Sequence, residues 1–181
     1  IDYNSFKKKN EPIDFQKVQI PTIVCMFAVH ERNAIALDIH SNIFTWGYQS
    51  VFDDEHSFKN SSTPTILNFS FPHPLRTVSA GPDYFTVLDN IGHLYCWGYK
   101  FSTEIIKIHL PPIFDVASGP HGTFALAYNG SIYHFENNNT PPSKLNYRNR
   151  ISIPSYLKQA NDYLFISKGK KKNNYRKIKL T

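Results

Sequence analysis

Ala80 to Lys100 reads "AGPDYFTVLDNIGHLYCWGYK", and related versions stand on either side of it. Upstream, "AIALDIHSNIFTWGY" (Ala34 to Tyr48) aligns with "FTVLDNIGHLYCWGY" (Phe85 to Tyr99), placing Leu37 on Leu88, Asp38 on Asp89, Phe44 on Tyr95, Trp46 on Trp97 and Gly47 on Gly98. Downstream, "VASGPHGTFALAYNGSIYHFE" (Val116 to Glu136) places Gly119 on Gly81, Leu126 on Leu88, Gly130 on Gly92 and Tyr133 on Tyr95. Self-similarity at such periods is the signature of a propeller or another stacked array.

The central copy divides into strands and turns. "LRTVSA" (Leu75 to Ala80), "YFTVLD" and "LYCWGY" read as strands, separated by Gly81-Pro82-Asp83 and by "NIGH". Alternation along a strand sends Phe44/Trp46, Tyr95/Trp97 and Tyr133/Phe135 to one face, and Ile43/Thr45, Leu94/Cys96 and Ile132/His134 to the other. Sheets apolar on both faces pack between neighbours, as blades do. This predicts Trp46 and Trp97 buried at equivalent positions of successive blades. Gly47 and Gly98 follow the aromatic where another backbone approaches or the strand bends. The competing arrangement is a β-sandwich with Trp in its core, which does not require copies in register.

The set Gly81, Leu88, Gly92, Tyr95, Trp97 and Gly98 resembles the repeat of the regulator of chromosome condensation family. The first copy keeps Leu37, Phe44, Trp46 and Gly47 but has His30 and Ser41 at the two glycine positions; the third keeps Gly119, Leu126, Gly130 and Tyr133 but ends in Phe135-Glu136. The family's usual His is replaced by Asn33, Tyr84 and Gly122. The resemblance covers roughly residues 23–137, with a poorer fourth copy in "LKQANDYLFISKGK" (Leu157 to Lys170). It implies an all-β fold of antiparallel propeller blades, here a partial or shortened array of about three to four blades where the family has seven. The expected organisation is an N-terminal arm or preceding-blade strand at 1–22, three degenerate repeats at 23–147, and a basic segment at 148–181 that could include the fourth blade.

Composition agrees with a folded, strand-rich chain: 181 residues, 41% hydrophobic, 15% aromatic and 19% charged. No apolar run approaches the roughly 20 residues of a membrane-spanning helix. Cys25 and Cys96 lie in apolar strand-like runs and read as buried free thiols, mildly favouring a reducing compartment. Four Asn-x-Ser/Thr sequons, at Asn60, Asn68, Asn129 and Asn138, keep a secretory origin open in this Asn-rich chain. An intracellular location is favoured, nuclear, or organellar if a targeting segment has been removed.

The net charge of +6 is concentrated at one end. Half of the 20 Lys and Arg lie in Arg148 to Thr181, against the single acid Asp162. Lys168, Lys170, Lys171, Lys172, Tyr175, Arg176, Lys177 and Lys179 form a candidate nucleic-acid contact, by charge and one stacking ring, or else a solvated terminus. Asp53, Asp54 and Glu55, in the insertion that lengthens the first repeat, are either a flexible solvated loop or a partner-binding finger.

The sequence holds no His-Glu-x-x-His, nucleophile elbow or phosphate-cradling glycine loop, so no catalytic residue, metal ligand or cofactor is assigned. An open array exposes apolar faces and unpaired edges. The reading is therefore a non-catalytic interaction scaffold. Protein partners complete or cover the blades, and the basic tail contacts RNA, DNA or an acidic surface within a larger assembly, a ribonucleoprotein among the candidates. The alternative implied by the family is guanine nucleotide exchange on the small GTPase Ran at chromatin.

Overall fold

In a computed structural model, the structure describes residues 17–52, 58–146, 155–160, 163–168 and 175–179. Every regular element among them is a strand, and no helix is long and apolar enough to cross a membrane. The first sheet comprises β1 (Val24–His30), β2 (Asn33–Asp38), β3 (Ile43–Phe52) and β4 (Phe58–Ile66). The second comprises β5 (Leu75–Gly81), β6 (Tyr84–Asp89), β7 (Leu94–Gly98) and β8 (Ser102–Ile108). The third comprises β9 (Ile113–Gly119), β10 (Gly122–Ala127), β11 (Ile132–Phe135) and the short β12 (Ser143–Lys144). A three-stranded sheet follows, of β13 (Ser155–Ala160), β14 (Tyr163–Lys168) and β15 (Tyr175–Lys179).

Each sheet is an antiparallel meander whose strands neighbour one another in chain order. The first strands lie side by side across the sheets, β1 against β5, β5 against β9 and β9 against β13. Sheets that meet through their leading strands and stack face to face are the blades of a propeller, here a partial array. The chain is an all-β fold of antiparallel blades.

The seams follow the alternation of the third strands. Ile35, Leu37 and Ile43 of the first blade pack on Val78, Ala80, Phe85, Val87, Tyr95 and Trp97 of the second. Leu88, Leu94 and Cys96 of the second then pack on Val116, Ala125 and Phe135 of the third. Phe124, Leu126 and Ile132 of the third meet Leu164 in β14. Aromatic Tyr95, Trp97 and Phe135 therefore face the preceding blade, and Leu94, Cys96 and Ile132 the following one.

Two residues depart from the expected burial. Trp97 is 1% exposed, but Trp46 is only half-buried, because no sheet among the described residues covers the leading face of the first blade. Cys96 is buried, which pushes its thiol pKa well up, whereas Cys25 is exposed at a bulge in β1, its Sγ near the carbonyls of Leu37 and Asp38. Both thiols are free.

Candidate interaction surfaces

The leading face of the first blade is defined by strand pairing. Phe27 pairs with Ala36 and Val29 with Ala34 across β1 and β2; Ala34 pairs with Trp46, Ala36 with Phe44, and Phe44 with Ile66. Directly opposed residues share a face, so Phe27, Val29, Trp46 and Ile66 belong to one apolar surface. Phe27 is 70% exposed and Val29 64%, although their equivalents in the second blade, Val78 and Ala80, are sealed in the seam. Ile66 is also exposed.

Behind that face, side chains tie each blade to the next. Asn33 Nδ2 donates to the Pro82 carbonyl at 2.6 Å, and the exposed Arg32 pairs with Asp83 at 3.3 Å while its guanidinium lies over the Tyr48 ring. At the next seam the Tyr84 hydroxyl donates to the Gly119 carbonyl at 3.1 Å, Thr86 bonds Ser118 at 2.9 Å, and Arg76 donates to the carbonyls of Ile113 and Phe114.

The glycines of the repeat sit where a side chain has no room. Gly47 and Gly98 end the regular pairing of β3 and β7 at φ of +110° and +128°; a Cβ would strike the Arg32 carbonyl in one case and the Tyr84 backbone in the other. Gly81 lies beneath the Tyr84 ring, which a Cβ would penetrate. Gly92 and Gly130 take positive φ in the turns between second and third strands, and Gly119 supplies the carbonyl that Tyr84 reaches. Leu88 and Leu126 are wholly buried, Tyr95 is buried and Tyr133 half-buried.

A buried aspartate closes the corresponding turn in the first two blades. Asp38 accepts hydrogen bonds from the amides of His40 (2.8 Å) and Asn42 (2.7 Å) and from Asn42 Nδ2 (2.8 Å). Asp89 accepts from the amides of Ile91 (3.1 Å) and His93 (2.7 Å), with His93 Nδ1 at 3.1 Å from Oδ2. His73, on the connector before β5, completes a cluster with Asp89 and His93 whose ligand atoms all lie within 4.8 Å of one another. The sequence named none of the three as a ligand, since His73 lies well outside any local His/Asp spacing. His73 also lines an open groove of about 570 Å³ formed by His40 to Asn42 and Ile66 to Pro74.

The basic candidates are only partly within the described residues. Lys168 ends β14, and Tyr175, Arg176, Lys177 and Lys179 belong to β15, where Lys177 and Lys179 are exposed, as is Lys158 in β13. Lys158 and Lys177 both pair with Phe165, which puts them on one face of that sheet. Lys170, Lys171 and Lys172, together with Asp53, Asp54 and Glu55, lie outside the described residues.

No protein-family model and no curated protein matches the sequence. Solved structures do resemble the fold. Human WBSCR16 aligns with a TM-score of 0.65 at 12% identity, over 82% of this chain and 46% of that one. Yeast RCC1 (Prp20), in its crystal structure with Kap60, aligns with a TM-score of 0.58 at 19% identity, over 69% of this chain and 37% of that one. The computationally designed Ika4 protein aligns with a TM-score of 0.58 at 8% identity, over 93% of this chain and 100% of that one. The chain thus spans less than half the length of the two natural propellers. Its fold is that of a β-propeller, present here as a partial array of blades.

Proposed function

We propose that the protein is a non-catalytic, RCC-like interaction scaffold that docks on a larger assembly through the leading face of its first blade, with the basic C-terminal segment adding electrostatic anchoring. The observation that carries this reading is the exposure of Phe27 and Val29 at positions whose equivalents, Val78 and Ala80, are buried one blade later. Burying such a surface contributes about 25 cal/mol per Å² of apolar area, and a protein occupant gains that term when it covers Phe27, Val29 and Ile66. The exposed Lys158, Lys177 and Lys179 support a polyanionic neighbour such as RNA.

The test is native purification of the full-length protein beside a Phe27→Glu/Val29→Glu variant, with and without nuclease. A scaffold loses its co-purifying protein in the variant while its unfolding midpoint holds. Nucleoprotein components should leave on nuclease treatment and with rising salt. Unchanged association in the variant would sink the docking face.

Nucleotide exchange on a small GTPase is the second reading. It is favoured by the likeness to Prp20, whose structure is described with its binding properties to Gsp1p and histones, at a TM-score of 0.56 and 19% identity. Acceleration of GDP release by the purified protein would establish exchange in place of a purely structural role.

A further inference from the structure

The His73, Asp89 and His93 cluster gains meaning from the first blade, which contains the same construction with different chemistry. With Trp46 under Trp97, Thr22 falls on His73, Asp38 on Asp89, Asn42 on His93 and Phe44 on Tyr95. In the first blade the Asn42 side chain donates to the Asp38 carboxylate at 2.8 Å, and Thr22 stands where the second blade has His73. Two backbone amides and one side-chain amide therefore suffice to close the hairpin, with no imidazole. The second blade keeps the aspartate and exchanges both neutral side chains for imidazoles. The third blade has Pro111, Ala127 and Ser131 at these positions, so of the three aligned blades the second alone has the arrangement.

The imidazoles and carboxylate converge. Asp89 is fully buried, and two backbone amides hold its Oδ1, fixing the plane of the carboxylate and turning Oδ2 toward His93. The rings of His73 and His93 lie with centroids 5.7 Å apart, both half-buried and therefore reachable from solvent. The Tyr95 ring lies beside the cluster, its centroid 6.5 Å from that of His93, where the first blade has Phe44. The Ile91 and His93 amides orient the carboxylate from behind, as outer-shell partners of metal ligands do.

We propose that His73, Asp89 and His93 form a three-ligand binding site for a divalent transition metal ion, zinc by chemical class. Two imidazole nitrogens and one carboxylate oxygen suit zinc, whereas magnesium and calcium favour all-oxygen shells. Ligand atoms already within 4.8 Å of one another reach bond lengths of about 2.0–2.2 Å by rotation of the two histidine side chains. Three protein ligands leave the fourth position to water. The ion would fasten the connector carrying His73 to the hairpin carrying Asp89 and His93, clamping the entry to the second blade.

The complete chain, stripped with chelator, is titrated with Co²⁺ as a spectroscopic probe and the bound Co²⁺ is then displaced with Zn²⁺. One equivalent is expected, with the visible absorption of a four-coordinate site, and Zn²⁺ should raise the unfolding midpoint as any ligand of the folded state does. His73→Thr and His93→Asn install the first blade's own residues, so the hairpin stays closed. Each should weaken binding at least about 100-fold, the upper end of what losing a supporting contact alone costs. His134→Gln removes another histidine beside a carboxylate, 3.8 Å from Glu136, and should change nothing. Absence of binding by the parent chain, or equal binding by the His73→Thr/His93→Asn double variant, overturns the assignment.

Discussion

The hydroxyl of Tyr84 in the second blade donates to the carbonyl of Gly119 at the end of the third blade's first strand, at 3.1 Å. It also accepts from Thr123 Oγ1 at 3.2 Å. Asn33, at the equivalent place in the first blade, reaches the Pro82 carbonyl just past the second blade's first strand. In the first two blades one position of the repeat thus binds the blade to the next through whichever donor it carries. In Tyr84→Phe, the buried Gly119 carbonyl loses a donor, which should cost about 1–3 kcal/mol in urea unfolding. An effect near zero would show that water substitutes for the hydroxyl.

The same phenol makes a prediction at high pH. Burial pushes the Tyr84 pKa up to about 12, outweighing the hydrogen bonds from Thr123 and Gly119 that pull it down. The unfolded phenol ionises near its ordinary value of about 10. The folded state holds the proton in that interval and the unfolded state does not, so this group's contribution is complete below about pH 10 and falls away as pH rises to about 12. Phenolate absorbance should show one tyrosine titrating late, and Tyr84→Phe should remove it.

The two tryptophans should separate in stability. Trp97 fills the seam between the first and second blades beside Phe85, and Trp97→Ala should cost about 3–5 kcal/mol. Trp46→Ala, on the half-buried leading face, should cost clearly less in the isolated chain. Equal losses in denaturant unfolding would mean that the leading face is covered.

Gly98→Ala should destabilise although it adds only a methyl group. Its φ of +128° is strained for an L side chain, and the new Cβ would run into the Tyr84 backbone. The conformational part alone is about 1–3 kcal/mol. Urea unfolding of Gly98→Ala beside Gly47→Ala should show both variants destabilised, since both positions meet a neighbouring backbone.

Acid should find the first hairpin. Burial raises the Asp38 pKa, but hydrogen bonds from Asn42, His40 and Thr22 outweigh it and hold the carboxyl below its ordinary value. With the folded pKa depressed, the carboxylate's contribution is present above the unfolded value of about 4 and lost as pH falls through the folded one. Asp38→Asn should therefore flatten the acid limb of a stability–pH curve.

The blades are legible in the sequence because strand alternation is local. Tyr95 and Trp97 carry their phase in their spacing, and the seams realise it. Trp46 has the same spacing, yet its burial depends on whatever lies before the first blade, which no pattern within the repeat encodes. The His73, Asp89 and His93 cluster was not legible as a site, because folding of the connector rather than sequence spacing brings His73 to the hairpin. The signal was nonetheless present in the alignment of Thr22 with His73 and Asn42 with His93, where two neutral donors become imidazoles together. The basic segment was legible as charge alone, since polyvalent attraction is written in composition and its target is not.

The blades meet by unlike faces: at the first joint Trp97 and Tyr95 stand on one side, and Ile35, Leu37 and Ile43 on the other. A joint of this kind has a head and a tail. Were copies of the chain to associate through such surfaces, they would stack in one direction, giving rings where the rotation closes and filaments where it does not, and never a twofold pair. The exposed Phe27 and Val29 lie at the head, so a further blade that covers them must present its tail.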